Sequence, residues 1–65
     1  MNKDIFEGKW KELKGKTRQR WAELSDDDVE NVKGQYEELS GLLQQRYGYK
    51  KERAEKDIDD FMNGE

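Results

Sequence analysis

Asp26, Asp27 and Asp28 form the densest run of carboxylates in the sequence, and clustered oxygen donors could hold a divalent cation. Three adjacent residues on one helical turn point in different directions, and neither EF-hand spacing nor its glycine hinge accompanies them. A helix-capping role explains them better. Glu37 with Glu38, or Asp59 with Asp60, could serve paired-carboxylate acid and base chemistry. Neighbouring residues on an exposed face, however, have neither burial to raise a pKa nor a cleft to hold a substrate. Lys9, Lys11, Lys14, Lys16, Arg18 and Arg20 could contact phosphates while Trp10 or Trp21 stacks on a base. These cations flank the apolar stripe to which both tryptophans belong, and an overall pI near 5.0 opposes polyanion binding. Trp10, Trp21, Tyr36 and Tyr47 could line a ligand site, but at helical spacing they are core residues first. With neither histidine nor cysteine in the chain, imidazole bases, thiolate zinc sites, disulfides and Ser-His or Cys-His nucleophiles are excluded. The expectation is a protein with no catalytic, cofactor-binding or metal-binding residues, and not an enzyme.

The frame that carries these side chains is short of core material. Of 65 residues, 31% are apolar and 45% charged, with a mean hydropathy of −1.46. A chain of this size buries only roughly 60% of its unfolded surface, so one marginally stable domain, spanning residues 1–65, is expected. No apolar run exceeds two residues, which leaves nothing to span a membrane or to form a signal-peptide core, and the chain is expected in the cytoplasm. Proline is absent and Glu, Lys, Gln, Leu and Arg abound, favouring helix wherever the chain is ordered. The composition also suits disorder, and the apolar spacing decides against it.

Phe6, Trp10, Leu13, Thr17, Trp21 and Leu24 recur at steps of three and four, predicting one helix from Asp4 or Ile5 to about residue 23. Ser25 followed by three aspartates is a capping box with a negative first turn, and Leu24 with Val29 completes a hydrophobic staple. A second helix should therefore start at Asp26 and run through Val29, Val32, Tyr36, Leu39, Leu43 and Tyr47 to a left-handed stop at Gly48, which Tyr49 could close by contacting Leu43. Ala54, Ile58, Phe61 and Met62 mark a third, ending at Asn63-Gly64. That helix opens on Lys50 and Lys51 and closes on Asp57, Asp59 and Asp60. Its charges oppose its dipole, and only packing can hold it. The fold class is a small all-α bundle of three to four helices: an antiparallel hairpin burying Trp10, Leu13 and Trp21 against Tyr36, Leu39 and Leu43, with the C-terminal helix as a lid.

Residues 8–22 and 34–48 also align at an offset of 26, pairing Gly8 with Gly34, Trp10 with Tyr36, Leu13 with Leu39, Gly15 with Gly41 and Arg20 with Arg46. An internal repeat is the simplest account. Gly8, Gly15, Gly34 and Gly41 fall away from the stripe, either as a contact face for a partner or, the favoured reading, as hinges that keep helicity conditional. Residues 1–22 carry seven basic and three acidic side chains, and residues 23–65 six and thirteen. Docking of the basic flanks beside the acidic helices accounts for this without nucleic acid or a membrane surface.

In order and spacing, Gly8-Lys9-Trp10-Lys11 with Leu13 and Gly15-Lys16, then Trp21, Leu24 to Asp28, Gly34, Leu39, Gly41, Arg46-Tyr47-Gly48 and Ala54-Glu55 resemble the CsbD-like bacterial stress-response proteins over about residues 3–56. Ala22 and Leu42 depart from that pattern, standing where glycine and lysine are common. The resemblance implies two helical hairpins packed across each other, which requires one long helix to break, near Gly15 or Gly41. It implies abundance under general stress and brings no catalytic residues and no defined molecular activity. Two functions follow as expectations: a non-enzymatic interaction module with a protein partner, monomeric or weakly self-associating, or a hydrophilic, conditionally folded protectant.

Overall fold

The computed structural model describes residues 3–64 and contains four helices: α1 Lys3–Arg20, α2 Asp26–Val32, α3 Tyr36–Tyr47 and α4 Lys51–Met62. The architecture is the expected all-α bundle, arranged as two hairpins. Opposed pairing of Lys14 with Glu30 and Arg18 with Asp26 runs α2 back along α1. Helix α4 returns along α3, the most closely packed pair in the molecule. It is thus the second arm of a hairpin rather than a lid over the first two helices.

The second predicted helix is two helices, broken at Lys33 and Gly34 rather than near Gly15 or Gly41. Both residues are left-handed, with φ of 51° and 75°. Glycine adopts this conformation freely, whereas Lys33 accepts it at a cost. Gly34 is also buried beneath α1, where a Cβ would sit 3.3 Å from Glu7 Cγ and 3.4 Å from Trp10 Cβ. The break therefore serves the close crossing of α1 over the α2–α3 turn. Periodicity conceals it, because Val29, Val32, Tyr36 and Leu39 keep their three/four steps straight through the turn and all four are buried.

Helix α1 begins at Lys3 and ends at Arg20, earlier than expected, although Trp21 N–H still donates to the Thr17 carbonyl at 2.9 Å. The chain then turns so that the Trp21 indole enters the core edge-on to Phe61, with ring centroids 5.0 Å apart. All six residues of the first stripe are buried, and the Thr17 hydroxyl is satisfied by the Leu13 carbonyl at 2.8 Å. Helix α2 starts where its capping box places it, the Ser25 Oγ accepting from Asp28 N–H and the Asp28 carboxylate from Ser25 N–H. Seven residues make a poor helix in isolation; this cap and the burial of Val29 and Val32 sustain it. Gly48 ends α3 at φ 70°, its N–H donating to the Gln44 carbonyl. Tyr49 there stacks on Tyr47 with centroids 5.3 Å apart. Helix α4 has no side-chain N-cap and no basic residue in its last turn. It is held by Ala54 and Ile58, both with no exposed surface.

Candidate interaction surface

Asp26 and Asp28 of α2 diverge to different tasks, and Asp27 is exposed. Asp26 receives Arg18 at 2.5 Å. Asp28 completes the capping box and also takes Arg46 in a two-pronged contact, Nε to Oδ2 at 3.1 Å and Nη2 to Oδ1 at 2.9 Å. The Arg46 guanidinium, helped by Ser25 N–H, lowers the Asp28 carboxyl to about 2. Next to it on α3, the Tyr47 hydroxyl accepts from Glu23 N–H at 3.1 Å. Arg46 and Tyr47 together clamp the second hairpin onto the turn of the first. The sequence marks Arg46 as part of a repeat, but no spacing says that it reaches Asp28, eighteen positions away.

The candidate acid/base pairs do not share a cleft. Glu37 is exposed and pairs with Lys3 at 2.6 Å, which lowers its pKa, and Asp60 pairs with Lys56 at 3.1 Å. Asp59 Oδ1 is buried with no hydrogen-bond partner among the described residues. It lies on the side of α4 that faces Tyr36, whose hydroxyl points to the Glu55 carbonyl at 3.5 Å. Burial, reinforced by the negative charges of Asp59 and Glu55, pushes the Tyr36 phenol up to about 12. This is the behaviour of a core tyrosine with its polar tip at the edge.

Nor do the cations proposed for phosphate contact form one surface. Lys14 is taken by Glu30 and Arg18 by Asp26, both across the α1–α2 cleft. Trp10 and Trp21 are buried with 9% and 3% exposure, so neither ring is free to stack on a ligand. Tyr36 is likewise in the core, against Phe6 with centroids 5.8 Å apart. Of the four glycines, only Gly34 makes a close approach. A Cβ on Gly8, Gly15 or Gly41 would meet nothing within 4 Å.

Two open clefts flank α1. The cleft toward α2, of about 610 Å³, is crossed by the Lys14–Glu30 and Arg18–Asp26 pairs and is lined mainly by polar side chains. The cleft toward the end of α4, of about 520 Å³, has a different character. Leu13, Phe61 and Met62 form its apolar floor, and Lys9, Lys16 and Arg20 stand on its α1 side. Lys9 and Lys16 make no ion pair or hydrogen bond among the described residues. This groove was not apparent in the sequence, since Phe61 and Met62 read there simply as the end of an apolar stripe.

The chain as a whole has counterparts. A family model described as CsbD-like matches residues 4–56. UPF0337 protein PA4738 of Pseudomonas aeruginosa is 52% identical over 63 residues, covering 97% of both chains. UPF0337 protein Bd3330 of Bdellovibrio bacteriovorus is 53% identical over 62 residues, which is 95% of this chain and 67% of that protein. UPF0337 protein YjbJ of Escherichia coli K12 is 46% identical over 61 residues, 94% of this chain and 88% of its own. No helix among the described residues is long and apolar enough to cross a membrane.

Proposed function

The chain belongs to the CsbD-like family of bacterial stress-response proteins, and on that premise we propose that it acts without catalysis, as a small folded module that engages another protein in the cytoplasm under stress. One observation carries this reading: order is built into the fold by specific side-chain ties. A merely hydrophilic chain needs neither the Arg46 and Tyr47 clamps onto the first hairpin nor a buried cluster from Phe6 to Ile58. Such ties fix a surface, and a fixed surface is what a saturable partner recognises. A proton–nitrogen correlation spectrum of the pure chain in dilute buffer tests the premise. Dispersed amide and indole signals are expected, and collapsed signals would remove the module reading.

A second reading, a conditionally folded protectant, is favoured by Gly8, Gly15 and Gly41. These glycines sit inside helices with open space where a Cβ would go, so each weakens its helix by about 1 kcal/mol without a packing reason in the chain. Its test is protection of an enzyme through drying. Protection no better than that given by an equal mass of albumin would count against it.

A further inference from the structure

We propose that the groove between α1 and the last turn of α4 is a docking site for an acidic amphipathic helix of a partner protein, an inference that rests on the interaction-module reading and names its surface. Helices α1 and α4 are not among the closely packed pairs of the bundle, and the floor left between them is apolar: Leu13 from α1, Phe61 and Met62 from α4. Phe61 and Met62 are only half-buried, one face of Phe61 being spent on Trp21. A methionine at such a floor adapts to differently shaped apolar side chains. Residues 61 and 62 lie beyond the segment that the family model matches.

Charge selects the occupant. On the flank of α1 facing α2, Lys14 and Arg18 are already engaged by Glu30 and Asp26 and only Lys11 is left over, while Lys9 and Lys16 beside the apolar floor have no acidic partner among the described residues. Ile5, 49% exposed, follows the same flank through steps of four, three and four residues to Lys9, Glu12 and Lys16. An apolar trough beside a cationic edge complements apolar side chains bordered by carboxylates. The long wall is α1, whose backbone groups are already hydrogen-bonded along the trough, and the short wall is the last turn of α4, so neither presents a strand edge. Recognition must therefore run through side chains, which suits a helix laid in a groove rather than an added strand. From Lys9 to Arg20, α1 offers roughly 16 Å at 1.5 Å per residue, the length of about three helical turns. A nucleic acid gains nothing from the apolar floor of Leu13, Phe61 and Met62, whereas the apolar side chains of an amphipathic helix do. A flat bilayer does not reach a concave floor.

The test is a titration of the isotope-labelled full chain, followed by amide shifts, with a synthetic peptide of about fourteen residues carrying leucines at helical spacing and glutamates elsewhere. The same peptide with lysines for glutamates, phosphatidylglycerol vesicles and a single-stranded oligonucleotide are the comparison probes. Saturable shifts centred on Lys9, Leu13, Lys16, Phe61 and Met62 are expected with the glutamate peptide alone. The double variant Lys9→Glu with Lys16→Glu alters exposed side chains without ion-pair partners among the described residues, so its spectrum should remain dispersed while affinity falls by about tenfold or more. Met62→Ser should weaken binding without changing the preference for glutamate over lysine. Absence of saturation up to about 1 mM, or an equal response to the lysine peptide, the vesicles or the oligonucleotide, would overturn the proposal. Saturable shifts on another face would remove the groove while leaving the module reading intact. A collapsed spectrum before any addition would remove both.

Discussion

Helices α2 and α4 are both short, yet they are held by opposite means. The seven residues of α2 have a reciprocal cap, three acidic residues in the first turn and a clamp from Arg46 on Asp28. The twelve residues of α4 follow Lys50, which offers no side-chain cap, and their i,i+4 pairs, Arg53 to Asp57 and Lys56 to Asp60, run in the less favourable cation-first order. Local chemistry specifies α2, whereas α4 exists because Ala54 and Ile58 reach the core. Helix specification and helix stability are thus separable within one small protein, and the separation can be measured.

The largest effect should come from Ile58→Ala, which leaves a cavity where α4 has its main anchor and should cost about 2–5 kcal/mol. Chemical denaturation would give the loss, and amide exchange should show α4 opening before the rest. Protection in α4 equal to that of α2 in this variant would mean that α4 is more self-sufficient than its caps suggest.

Gly34→Ala should be next, since a left-handed alanine alone costs roughly 1–2 kcal/mol and Glu7 must also shift. The paired change Gly15→Ala should instead stabilise the chain by about 0.4–1 kcal/mol, because its helical backbone suits alanine and nothing lies within 4 Å of the added carbon. Melting temperatures that move in opposite directions check the pair.

Caps provide the third comparison. Ser25→Ala should cost about 1 kcal/mol by removing the acceptor for Asp28 N–H. Lys50→Asp should gain about 0.5–1 kcal/mol, because the backbone at position 50 is already extended, with φ −75° and ψ 161°, and faces an uncapped helix start. If both substitutions proved neutral, helix ends would not be what distinguishes α2 from α4.

The smallest effect is a pH dependence confined to the α2 side. The folded-state pKa of Asp28, about 2, lies below its ordinary value of 3.8. Its contribution to stability is therefore complete above about pH 4 and is lost as pH falls through 2. Arg46→Gln should flatten the acid limb of a melting-temperature profile over that window while leaving the neutral plateau only slightly lower. An unchanged acid limb would separate the Arg46 clamp from the stability of α2.

The residues that form the core, the start of α2 and the stop at Gly48 were legible in the sequence because each rests on chemistry local to a few positions. Apolar side chains at steps of three and four must share one face, a serine before three aspartates must cap, and a glycine after the last periodic residue must turn left-handed. The break at Lys33–Gly34 was not legible, because the same periodicity fits one helix or two, and the left-handed backbone and the approach of Glu7 and Trp10 that call for glycine at position 34 arise only in the fold. The reach of Arg46 to Asp28 and the apolar groove under Lys9 and Lys16 depend in the same way on where α1, α3 and α4 come to lie. Local sequence determined which faces of the helices are buried, where α2 starts and where α3 and α4 end; the tertiary structure alone decided which helices meet, because contacts between residues distant in the chain have no period of their own.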